Sequence, residues 1–88
     1  MTGDKLREDL ERLRTELDAL ARSDFSARDK LNSIINDIER RIQEPEDASA
    51  HHGLIASIRD AIHHFEAAHP RATAILNDIM VTLSNMGI

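Results

Sequence analysis

The sequence predicts an all-α fold: an antiparallel helical hairpin or bundle of three to four helices with heptad-like seams, forming one domain over residues 1–88. Three observations predict it. Leu6, Leu10, Leu13, Leu17 and Leu20 recur at 4-3-4-3 spacing, which places them on one face of a helix. His51, Ile55, Ile58, Ile62, Phe65, His69, Ala72, Leu76, Ile79, Leu83 and Met86 form a second and longer 4-3 series. The last nineteen residues, Pro70 to Ile88, carry eight large apolar side chains and only two charges, Arg71 and Asp78, in a chain that is 31% charged. A segment so short of charge has to be shielded from water.

The first helix comes after a polar start in which Thr2 or Asp4 is the expected N-cap. Its leucines fill only two positions in seven, a narrow seam. The other faces are charged, and Glu8/Arg12, Arg7/Glu11, Arg12/Glu16 and Arg14/Asp18 stand four apart. Each such pair adds only ~0.2–0.5 kcal/mol, so these charges read as a solvated face.

Arg22 to Ser26 breaks the pattern, and Ser26 with Asp29 has the form of a capping box. A second helix is expected from about Ala27 to Glu44, with Leu31, Ile34 or Ile35, Ile38 and Ile42 facing inward. Phe25, just ahead of that cap, is expected to fold onto the first turn; an exposed anchor for a partner is the alternative. Pro45, Glu46 and Asp47 end the helix in a linker short enough to make its neighbours antiparallel. Asp47 or Ser49 is the expected cap of the next helix.

Pro70 leaves two architectures open. In one, His69 caps a separate fourth helix beginning at Pro70. In the other, residues 50–86 form one helix of ~55 Å, kinked at the proline at a cost of roughly 3 kcal/mol. The 4-3 phase runs straight through Pro70, which favours the kinked helix packed against the first two helices laid nearly end to end. So thin a hairpin would bury too little apolar surface alone, and a dimer is the natural completion. Gly87 and Ile88 have the form of a Schellman C-cap.

Composition narrows the function classes. With no cysteine there is neither a disulfide framework nor thiolate chemistry. Two phenylalanines are the only aromatics, and the formal net charge is −5, so neither base stacking nor duplex binding is expected. No leader-like start or membrane-length apolar run is present, which gives a cytoplasmic protein with no membrane role as the expectation. Residues 1–44 carry nine basic and eleven acidic side chains against two and five in residues 45–88, so the N-terminal half reads as the solvated cover of the C-terminal half.

The histidines, five in number and all between His51 and His69, are the one temptation to chemistry. Asp60-x-x-His63 and Glu66-x-x-His69 match the carboxylate-x-x-histidine spacing of di-iron bundles. That constellation also needs carboxylates pointing inward from partner helices, where Leu, Ile and Ala stand instead; Asp37 and Glu39 fall beside the Ile38 seam. Adjacent His51-His52 and His63-His64 diverge by about 100° on a helix and make no easy chelate. His51 and His69 on the seam leave a pH-dependent oligomer conceivable. No nucleophile elbow, phosphate loop or HExxH is present. We therefore assign no catalytic, cofactor or metal residue and no cofactor.

Phe65-Glu66-Ala67-Ala68-His69-Pro70 and Leu83-Ser84-Asn85-Met86-Gly87-Ile88, with the leucine-spaced start, resemble an uncharacterised bacterial family of short proteins, domain of unknown function 4404. The resemblance covers essentially the whole chain and implies an all-helical bacterial protein. Members often carry a proline in the segment matching Arg22 to Ser26, which this chain lacks. It implies no activity, ligand or catalytic residue. The expectation is a non-enzymatic, self-associating interaction module, a homodimer with room for a further protein partner and none for nucleic acid. A metal-binding bundle protein using Asp60, His63, Glu66 and His69 is the alternative.

Overall fold

The computed structural model describes residues 2–44 and 48–86. They form four helices: α1 (Thr2–Ala19), α2 (Phe25–Gln43), α3 (Ala48–Phe65) and α4 (Pro70–Met86). The helices stand in a ring, α1 beside α2 and α4, α3 beside α2 and α4. Each runs antiparallel to its neighbours: Arg14 meets Glu39, Lys30 meets Asp60, and Arg12 meets Asp78. The result is an up-down-up-down bundle of 37 × 21 × 18 Å.

The leucine seam of α1 and the isoleucine seam of α2 go where their spacing sends them. Leu6, Leu10, Leu13 and Leu20 are buried against Leu31, Ile34, Ile35 and Ile38 from α2, and Leu17 and Ile42 are half-buried at the edge. From the other side come Leu54, Ile58, Ala61 and Phe65 of α3, and Ala72, Ile75, Leu76, Ile79 and Leu83 of α4. The inner face of the charge-poor α4 is thus shielded by its own chain.

The kinked long helix and the end-to-end first pair do not occur. After α3 ends at Phe65, Glu66 to His69 reverse the chain. The reversal is held by the His69 N–H donating to the Phe65 carbonyl at 2.8 Å, and α4 opens with the Thr73 N–H on the His69 carbonyl at 3.0 Å. Pro70 takes the first position of α4, where a missing N–H costs nothing. The phase survives because six residues between Phe65 and Ala72 happen to complete a heptad. Continuity of spacing therefore reports the length of the turn and not an unbroken helix.

The start of α2 also differs. Asp24, not Ser26, is the N-cap, its Oδ1 accepting from the Ala27 N–H at 3.3 Å. The helix accordingly begins at Phe25, whose ring stands 74% exposed instead of folding onto the first turn. Asp4 lies inside the first turn of α1 and favours its positive end. The linker 45–47, with the cap expected at Asp47, and the C-cap expected at Gly87–Ile88 lie outside the described residues, as do the side chains of Thr2, Ser49 and His51.

Candidate interaction surfaces

At one end of the bundle the two hairpin turns are clasped together. Asp24 caps α2 with one oxygen and places the other 3.2 Å from His69 Nε2 in the α3–α4 turn. The His69 ring also meets Phe65 edge-on, with centroids 5.4 Å apart and planes at 77°. Beside the clasp, Arg28 Nη1 donates to the Leu17 and Leu20 carbonyls at 3.2 Å each, tying α2 to the end of α1, where the Leu17 carbonyl also accepts from the Leu20 N–H.

A second polar site lies between α1 and α4. Asp9 is fully buried among the α1 leucines. Lys5 and Arg12 donate to its Oδ1 at 2.9 and 3.2 Å, and the Thr82 hydroxyl lies 3.3 Å from its Oδ2. Arg12 extends onward to Asp78 at 3.0 Å. That hydrogen bond raises the Arg12 pKa; desolvation opposes it and Asp9 adds to the rise, so the guanidinium is charged at every working pH. Asp9 corrects the expectation that only Leu, Ile and Ala hold inward positions. Its signal in the sequence was slight: position 9 stands three after Leu6 and four before Leu13, just outside the arc of the leucines and on the flank that meets α4. Arg41 is buried in the last turn of α2, also against expectation.

The carboxylate-histidine pairs do not assemble. Asp60 is exposed and held by Lys30 at 2.6 Å, a contact that keeps its pKa below the ordinary carboxylate value. His63 and Glu66 stand exposed and 4.0 Å apart, while His69 turns away to Asp24. Among the described residues no three His, Asp or Glu side chains converge on a position that a metal ion would occupy. Open grooves run along the helix seams. The one between α1 and α2, lined by Arg7, Leu10, Glu39 and Ile42, is crossed by Arg14 reaching Glu11 and Glu39.

What the closed bundle leaves in water is more informative. Among the described residues two large apolar side chains stay exposed, Phe25 at the clasped end and Val81 at 58% midway along the second half of α4. Asp78 and Thr82 point to α1, and Met80, about 200° further round, lies half-buried on the α3 side. Between these flanks the outer row of α4 reads Pro70, Ala74, Asn77, Val81, Ser84, all exposed and none charged. No described helix is long and apolar enough to cross a membrane. The sequence model of the family described as "Domain of unknown function (DUF4404)" matches residues 6–88. No curated protein and no solved structure matches the chain.

Proposed function

The chain belongs to the DUF4404 family, and from that premise we propose that it is a non-enzymatic, cytoplasmic helical protein that acts by associating with other proteins, in the first place with a second copy of itself. The observation that carries this is the apolar surface left over once the core is full: Val81 and Phe25 face water on a bundle whose α1–α2, α2–α3 and α1–α4 seams are laced by ion pairs. The grounds differ from those the sequence supplied. Because α1 and α3 already shield the inner face of α4, a partner is not required for folding and association becomes a property of the exterior. Sedimentation of the untagged chain from about 10 μM to about 1 mM tests it. A shift from the 9.9 kDa monomer toward twice that mass is the expected result. A 9.9 kDa species throughout would overturn the self-association.

A further inference from the structure

We infer that two copies of this chain meet along the outer row of α4, the helices antiparallel about a two-fold axis near Asn77, with Val81 as the main apolar contact. The proposal rests on the self-association above and names its surface and geometry.

Symmetry selects the face. In a two-fold contact each residue near the axis lies beside its own copy, so a charged residue there meets a like charge. The chain carries a formal net charge of −5, which makes such contacts costly on most of its surface. The exposed rows of the other helices all include charges: Glu8 and Glu11 on α1, Asp29 and Arg40 on α2, Arg59 and Glu66 at and just beyond α3. Among the described residues only the row from Pro70 to Ser84 is free of them. Asp78, the nearest exception, is drawn sideways to Arg12 on α1.

Charge complementarity then selects the direction. The last turn of α4 holds no basic residue, so no α4 side chain answers the negative end of the helix dipole. The one basic residue of α4, exposed Arg71, sits at the opposite end. An antiparallel pair with its axis near Asn77 brings each Arg71 to the other copy's last turn, whereas a parallel pair sets the two arginines together. The flank toward α3 is apolar as well. Ile55 and Ile62 lie on the side of α3 away from Asp60 and, with Met80, are only half-buried.

The size of the face sets the strength. Fifteen residues of helix give a strip roughly 22 Å long and about 10–12 Å wide, well below the ~800 Å² per partner of a standard stable interface. The dimer is therefore weak, with dissociation in the micromolar range or above.

The chain has no cysteine, so a single introduced thiol is a clean reporter. Asn77→Cys, beside its own copy at the axis, is expected to give a disulfide-linked dimer under mild oxidation, and Asn36→Cys, exposed on α2, is expected to stay monomeric. Val81→Arg is expected to raise the dissociation constant about tenfold or more with the helical circular dichroism unchanged. If Val81→Arg does not fold, the cysteine pair decides alone. A wild-type chain that associates while Val81→Arg leaves its affinity unaltered, or while Asn36→Cys cross-links as readily as Asn77→Cys, puts the contact on another face and overturns this geometry. A wild-type chain that stays monomeric overturns the self-association itself.

Discussion

Helix α4 meets its two neighbours in different ways. Toward α1 it presents Thr82 and Asp78, which engage a fully buried Asp9 and the Arg12 that serves both carboxylates. Toward α3 the contact is built from apolar side chains, and no ion pair between described residues joins the two helices. The two contacts face different problems of alignment. The register of α3 on α4 is set by the four-residue turn between them, so apolar packing suffices. No turn aligns α1 with α4. A leucine seam slides by a turn at little cost, whereas a buried carboxylate has to find its donors, so Asp9 fixes which turn of α1 faces which turn of α4.

Breaking the apolar side has the largest expected effect. Leu76→Ala or Ile79→Ala empties a fully buried position and should cost about 2–5 kcal/mol. Thermal unfolding followed by circular dichroism should show the midpoint falling by about 4–8 °C per kcal/mol; a fall of a degree or two would mean the core is looser than described.

The polar side should break less severely and more selectively. Asp9→Ala removes the carboxylate from the Thr82 hydroxyl, which keeps the Asp78 carbonyl at 3.0 Å as its acceptor, and should cost about 1–2 kcal/mol. Lys5 and Arg12 are half exposed and turn to water, which holds the cost at that level. The double change Asp9→Leu with Thr82→Val should recover most of the stability yet broaden the NMR resonances of α1 and α4 as alternative registers become accessible. Sharp, native-like resonances in that double variant would remove the registering role from Asp9.

A third contrast lies at the clasped end. Asp24→Ala removes the α2 cap and the contact with His69 together, at about 1 kcal/mol by urea unfolding. Ser26→Ala should cost far less, because Ser26 is exposed and does not hold the cap position. The smallest effect belongs to the exposed Lys30–Asp60 bridge between α2 and α3. Lys30 lowers the Asp60 pKa, so the stabilisation is complete above the reference value of 3.8 and lost as pH falls through the lowered value. Lys30→Gln should therefore lower the urea midpoint at pH 7 and narrow its difference from wild type at about pH 2–3. An equal difference at both pH values would detach the bridge from stability.

Much of this fold was legible in the sequence because apolar spacing is a direct image of a helix's buried arc. The Leu6–Leu20 series, Ile34 to Ile38, and Ala72 to Leu83 mark true inner faces, whereas in α3 the buried face turns toward Leu54 and Ala61 and leaves Ile55 and Ile62 of the expected series half-buried at its edge. What spacing does not carry is chain direction between helices, and the heptad that continues across Pro70 concealed a reversal. Nor does it carry polar burial: Asp9 entered the charge pattern as one acidic residue among eleven. At Asp24 the two short polar residues Asp24 and Ser26 competed for one cap, and the position of the turn decided between them. The outer row of α4 was equally present as letters. It became visible as a surface only when Asp78 and Thr82 fixed which way the helix is turned.

The Asp9–Thr82 contact joins residues 73 apart in the chain, whereas each hairpin closes over a handful. Ring-closure entropy grows with the segment enclosed, so the hairpins form first and α1 reaches α4 among the last events of folding. Substitutions at Asp9 should then act on the escape from the native state: in a chevron plot the unfolding arm rises while the refolding arm stays where it was. A bundle locked this late is one whose lifetime, more than its speed of formation, is written into a single carboxylate.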